Sequence, residues 1–253
     1  MKNKWLLIIF LFVFSAGKVS SQEIRSLVDS ANQYYSEGRY EQAINHYKQI
    51  LGKGYESAGI YYNLGNAYYK ANQLAPAILN YERARLREPG NEDIKYNLQL
   101  TRSQITDKIE NIPDFFITRW IRQLIDVFPS DIWAIISMLT FVAFLALFSV
   151  YLYGQRMGLK KAGFWVGLLA LAIAVASFVF ASRQKEEVMN SEQAIVFAPK
   201  VTVKSSPAES GTDLFVIHEG TKVYIEDNMG EWYEISLSDG SQGWLRKKNV
   251  EQI

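Results

Sequence analysis

The sequence predicts a multidomain membrane protein with three folded parts: an all-α repeat domain, a two-helix transmembrane hairpin and a small all-β barrel. Three observations carry this. Small and aromatic residues recur at a spacing of 34 between residues 22 and 91, the period of one kind of helix–turn–helix repeat unit. The runs 132–153 and 162–182 contain no charged residue and are long enough to cross a hydrocarbon core of about 30 Å. Over 192–253 apolar residues alternate with period two and are interrupted by glycine and proline, as in short strands.

Composition narrows the function classes first. With 253 residues, 49% apolar content and a net charge of +1, the chain is neither disordered nor a coat for nucleic acid. It contains no cysteine, so disulfides, thiolate nucleophiles, cysteine-bound zinc, iron–sulfur clusters and lipoprotein anchors drop out together. His46 and His218 are the two imidazoles and lie in segments of different character. A metal site or catalytic triad needs several groups in one pocket, so no enzyme activity and no cofactor is expected.

The start reads as an export signal over 1–21. Lys2 and Lys4 precede an uncharged run from Trp5 to Phe14, followed by small residues ending Val19-Ser20-Ser21. That run is too short to span comfortably. Cleavage after Ser21 is the favoured reading, an uncleaved anchor the alternative.

A shift of 34 residues superposes Ala77 on Ala43, Tyr81 on Tyr47 and Tyr68 on Tyr34. Tyr61, Leu64, Gly65, Tyr68, Ala77, Tyr81, Ala84 and Pro89 together resemble the tetratricopeptide pattern. Units of about 24–57 and 58–91 follow. The first is looser, with Ser30 in place of the usual leucine and Tyr55 in place of proline. Gly65 and Ala77 are small where paired helices cross, while Tyr61, Tyr68 and Tyr81 fill the wider gaps, so these tyrosines are expected in the core. Pro76 suits the first turn of a helix.

In tetratricopeptide proteins the first helix of each unit lines a concave groove, and in peptide-binding members asparagines there hold the ligand backbone. Carried over by register, the resemblance implies that Asn32 and Asn66 share one groove position, Asn63 and Asn97 another, with Tyr62, Tyr69 and Lys70 beside them. The alternative is that the asparagines are solvated or satisfy turns. Val28 and Asp29 stand where a carboxylate clamp would want cations. After the breaker Pro89-Gly90-Asn91, residues 92–110 carry Ile94, Leu98, Ile105 and Ile109 on one stripe and read as a capping helix. It completes a helical domain over 22–110.

Residues 111–130 read as an amphipathic linker helix. Ile117, Trp120, Ile121, Leu124 and Phe128 alternate with Thr118, Arg119, Arg122 and Asp126, and Pro113 suits the first turn. It either lies in the outer headgroup layer or packs on the repeats. Trp133, Tyr151, Tyr153 and Trp165 lie near the ends of the two spans, where amphipathic rings settle. The loop 154–161 carries Arg156, Lys160 and Lys161 and no acid, which places it in the cytoplasm and both large segments outside. Gly163 and Gly167 form a GxxxG, attributed to close packing of the hairpin rather than to a dimer.

Within 192–253, Val201, Val203, Val223, Ile225, Trp232, Ile235 and Leu237 mark the strands. Val203-Lys204-Ser205-Ser206-Pro207, Glu219-Gly220-Thr221-Lys222-Val223, Trp232 and Gly243-Trp244-Leu245 are similar to the bacterial SH3 pattern, with Lys204 where arginine is frequent. Tyr224, Trp232, Tyr233 and Trp244 are candidates for an aromatic ligand groove, although Trp232 and Trp244 are also expected in the barrel core. Peptidoglycan is a candidate ligand of such a domain.

The order of parts resembles the BatE family of the Bacteroides aerotolerance group across the mature chain. That resemblance implies a bacterial inner-membrane scaffold with both soluble domains in the periplasm. It further implies partners among Bat proteins with von Willebrand factor A domains, a MoxR-type ATPase, and a link to oxygen tolerance or envelope stress. The competing reading is a cell-wall sensor or anchor acting through the barrel.

Overall fold

A computed structural model describes residues 22–109 and 115–253. The signal-peptide reading of 1–21, Glu110, Pro113 and Asp114 lie outside the described residues.

Five helices make the repeat region: α1 (residues 22–36), α2 (Tyr40–Gly52), α3 (Ala58–Lys70), α4 (Leu74–Arg87) and α5 (Glu92–Arg102). Ser57 caps α3 by accepting from the Ile60 N–H at 3.2 Å, and Asn91 caps α5 by accepting from the Asp93 and Ile94 N–H groups. The turn inside each unit is left-handed at equivalent positions, Gly38 with φ 75° and Asn72 with φ 59°. Asparagine follows glycine in tolerance of that conformation, so the register extends into the turns. Gly65 lies at the α3–α4 crossing, where a Cβ would stand 2.8 Å from the Tyr81 ring.

Helix α5 ends at Arg102, sooner than the capping helix over 92–110 expected from the stripe. Ile105 and Ile109 follow in non-helical chain. Ile105 packs beside Ile78 and Leu98, and Ile109 packs against the core of the sheet. Their spacing is helical, but Ile105 sits between the repeats and β1, and Ile109 meets the sheet.

Helix α6 (Phe116–Ile125) precedes the hairpin of α7 (Ser130–Tyr153) and α8 (Met157–Met189). Both hairpin helices are long and apolar enough to cross a membrane. A Cβ on Gly163 would lie 2.9 Å from the Leu147 carbonyl oxygen, and one on Gly167 3.5 Å from Leu147 Cβ. The GxxxG therefore faces α7, and Ser137 Oγ donates across to the Ala174 carbonyl at 2.9 Å. Beyond residue 182, α8 continues as a charged extension towards the sheet.

Strands β1 (Gln193–Val196), β2 (Lys200–Lys204), β3 (Asp213–His218), β4 (Lys222–Met229), β5 (Trp232–Ser236), β6 (Gln242–Arg246) and β7 (Val250–Gln252) form one antiparallel sheet in the order β3-β2-β6-β5-β4-β1-β7. The expected barrel is thus an open sheet with β3 and β7 at its edges. One reason is visible at β7, where the Gln252 carbonyl accepts from Arg83 of α4 at 2.6 Å. That edge faces the helical domain instead of closing on β3.

The sheet curves over Ala194, Val196, Val201, Val203, Ile217, Val223, Ile235, Leu237 and Leu245. Strand β1 is buried on both faces. Ala194 and Val196 enter this core, whereas Ile195 enters a cluster with Ile78, Leu79, Tyr81 and Leu98 of the repeats. The repeats and the sheet therefore share apolar packing.

Candidate functional site

The asparagines carried over to the groove are engaged by tyrosines from the second helix of each unit. Tyr47 donates its hydroxyl to Asn32 Oδ1 at 2.5 Å, and 34 residues on, Tyr81 donates to Asn66 Oδ1 at 2.7 Å. Asn97 Nδ2 then donates to Asn66 Oδ1 at 3.0 Å and to the Tyr62 hydroxyl at 2.9 Å. Asn63 lies near the Tyr47 hydroxyl, and Asn97 ties α5 to α3. Gln104 extends the pattern by donating to the Tyr69 hydroxyl at 2.6 Å. Lys70 is exposed at the end of α3.

These bonds give the asparagines partners that neither the groove reading nor the solvent-or-turn reading named. A buried phenol must satisfy its hydroxyl, and Tyr47 and Tyr81 are 1% exposed. Burial pushes the Tyr47 phenol up to about 12, against an opposing hydrogen bond from Asn63. Tyr81 is raised further, again mainly by burial. Both phenols stay protonated donors. The structure does bring Tyr62, Asn66 and Asn97 together, and it fixes their rotamers. Among the described residues no protein partner is found for Asn66 Nδ2.

The four aromatics of the sheet are not brought onto one face. Tyr233 packs beside the core with Ile225. Trp232 pairs with Arg246 and Trp244 with Glu234 on neighbouring strands, both alternating outward from core residues Ile235 and Leu245. The expected place for the tryptophans in the core is therefore wrong; aliphatic residues fill it, and the Arg246 guanidinium lies 5.2 Å from the Trp232 ring. Tyr224 also alternates outward, with Lys222 Nζ 5.6 Å from its ring.

The junction between repeats and sheet holds polar residues that the sequence reading passed over. Glu82 of α4 is 0% exposed. It accepts from Arg85 Nε at 3.0 Å, pairs with Arg102 of α5 and meets Lys222 Nζ of β4 at 3.3 Å. Burial alone would raise its carboxyl, but Lys222, Arg85 and Arg102 outweigh that and hold it at about 2. Lys222 is lowered to about 8, because burial and repulsion from the two arginines exceed the attraction of Glu82. Three cations share one carboxylate, and the lysine is the least favoured of them.

A second clasp is centred on Asp107. One oxygen lies 2.8 Å from His218 Nδ1, and the other accepts from the His218 N–H at 2.7 Å and from Thr221 Oγ1 at 2.6 Å. Burial opposes ionisation of Asp107, yet these hydrogen bonds keep its carboxyl below the usual range. Between them Gly220, with φ +85°, brings its backbone so close that a Cβ would lie 2.6 Å from Ile105. One available signal was Glu82 itself, an acid between the buried positions Tyr81 and Ala84. His218 thus pairs with a carboxylate, and among the described residues there is no group of three or more metal-ligating side chains.

Residues 34–99 match the family model described as tetratricopeptide repeat. The match runs from the end of α1 into α5 and takes in Asn63, Asn66 and Asn97 but not Asn32. No curated protein matches the chain.

Proposed function

We propose that this chain is a non-enzymatic, membrane-anchored scaffold whose repeat domain recruits a protein partner. Tetratricopeptide repeats are modules of protein–protein interaction, and two helices of this chain are long and apolar enough to hold it in a bilayer. The carrying observation is the set Tyr62, Asn66, Asn97 and Tyr69, whose side chains are held by one another and by Gln104. A set already ordered loses little side-chain entropy when a segment docks. In this reading Arg156, Lys160 and Lys161 hold the hairpin loop in the cytoplasm, and the repeats and the sheet work together in the periplasm. The resemblance to BatE proteins supports partners with von Willebrand factor A domains and a MoxR-type ATPase, and a role in aerotolerance or envelope stress.

The test is capture of partners by the full chain from detergent-solubilised membranes, comparing wild type with Tyr69→Ala/Lys70→Glu. Lys70 is exposed and Tyr69 is half-buried beside the cluster of Tyr81, so the melting profile is read together with the capture. Loss of the captured partner with an unchanged melting profile supports the groove. Equal recovery in a folded double variant removes the groove from the mechanism.

A further inference from the structure

The geometry points to α6 as a helix that lies flat on the lipid surface, with its apolar side sunk among the headgroups at the outer end of the hairpin. This rests on the proposal that α7 and α8 cross a bilayer. At 100° per residue, Phe116, Ile117, Trp120, Ile121, Leu124 and Ile125 occupy one half of the helix circumference, and Thr118, Arg119, Arg122 and Gln123 the other. None of its ten residues is buried; Phe116 is 71% and Trp120 65% exposed. Two readings were open for this segment, and a helix packed on the repeats would bury its stripe. Helix α6 has no extensive contact with any other described helix or strand.

Continuity with the hairpin identifies the occupant as lipid. The corner between α6 and α7 is short and fixed from three sides. Trp133 of α7 donates its indole N–H to the Ile125 carbonyl at 2.9 Å. Gln184 of α8 donates to the Ile125 and Phe128 carbonyls at 2.8 and 3.1 Å. The turn before α5 also abuts it, because a Cβ on Gly90 would stand 2.9 Å from the Asp126 and Val127 carbonyl oxygens. The Ile125 carbonyl at the end of α6 and the Phe128 carbonyl beyond it are thus satisfied by α7 and α8. This corner sits beside Trp133, packed edge-on to Phe128 and Phe180, at the end of the apolar run where a headgroup layer falls. A helix with one apolar half at that depth gains from burying it in lipid. Because the same corner touches Gly90, the lipid-bound helix would set the height of the repeat domain above the membrane.

The chain has no cysteine, so single introduced cysteines can carry a spin label in the full protein. Labels at Phe116, Trp120 and Leu124, at Thr118 and Gln123, and at Val142 within α7 would be read in nanodiscs of phosphatidylethanolamine and phosphatidylglycerol. The expected result is greater access to oxygen than to a water-soluble nickel reagent at the first three positions, with the reverse at Thr118 and Gln123. Val142 reports whether the hairpin is in the bilayer. With Val142 in lipid, nickel access at all five α6 positions places the helix in water and overturns the inference. Exclusion of both reagents at Phe116, Trp120 and Leu124 places it against protein and overturns it equally. Nickel access at Val142 fails the membrane proposal instead.

Discussion

The Tyr81 hydroxyl donates to Asn66 Oδ1 at 2.7 Å across the α3–α4 pair, and Tyr47 makes the same bond to Asn32 one repeat earlier. An asparagine that a ligand-binding reading would leave free is therefore part of how the repeat holds its buried phenol. Removing it strands a donor that cannot reach water.

Asn66→Ala should accordingly destabilise the fold by about 1–3 kcal/mol, the cost of an unsatisfied buried polar group. Tyr81→Phe should cost less, because donor and penalty leave together. In a double-mutant cycle the two changes should be clearly non-additive. Thermal melting of the full chain in detergent measures all three, and additivity would mean that the bond is not formed.

The spacing of the repeats was legible because helical packing repeats in sequence. Gly65, Ala77 and Tyr81 fall where the 34-residue register places them, and Tyr81 is in the core. The bonding of the asparagines was not, since an amide suited to a ligand is equally suited to a phenol fifteen residues away. A second signal was present: Asn32–Tyr47 and Asn66–Tyr81 recur together. The docking of sheet on repeats was the least legible. Ile195 and Ile105 meet residues distant in sequence, and an alternating or helical pattern says which side is apolar without naming the partner. The unbroken apolar run Ala194-Ile195-Val196 was the local trace of it, a strand buried on both faces.

Gly65→Leu should cost about 1–3 kcal/mol as an overpacked core does, because the first added carbon already meets the Tyr81 ring at 2.8 Å. A buried ring flanked by Ile78 and Leu79 has little space to yield. An unchanged melting temperature would show that the crossing tolerates side chains.

If the basic loop is cytoplasmic, a reporter active only in the periplasm should work when fused after Ile253 and fail when inserted near Gly158. The opposite pattern would place both soluble regions in the cytoplasm.

Gly220→Ala should loosen the sheet from the repeats while leaving each folded. The added methyl would meet Ile105 at 2.6 Å and Ile78 at 3.2 Å, from a backbone with φ +85° that disfavours any side chain. Faster proteolysis of the segment around Asp107, with unchanged helical circular dichroism, is the expected outcome. Protection equal to wild type would mean that the contact at Gly220 does not hold the two regions together.

The cluster at Glu82 predicts an asymmetry between its members. Glu82→Gln leaves Arg85, Arg102 and Lys222 facing one another without a countercharge and should cost about 3–5 kcal/mol, as breaking a buried pair does. Lys222→Met should be tolerated or stabilising, since the folded state already disfavours the charge on Lys222 and a methionine fills similar space. The pH dependence follows from the same shifts. The folded carboxyl of Glu82 titrates at about 2, below its ordinary value of 4.5, so its contribution is complete above that value and is lost as pH falls from 4.5 towards 2. For Lys222, folded near 8 against an ordinary 10.5, the unfolded chain binds the extra proton between those values. Its penalty is full below pH 8 and relieved as pH rises towards 10.5. Melting temperatures of wild type, Glu82→Gln and Lys222→Met across both windows decide the matter. Loss of the acid transition in Glu82→Gln and of the alkaline gain in Lys222→Met are the expected results. Equal destabilisation by the two variants at neutral pH would show that Lys222 is a needed partner rather than a surplus cation.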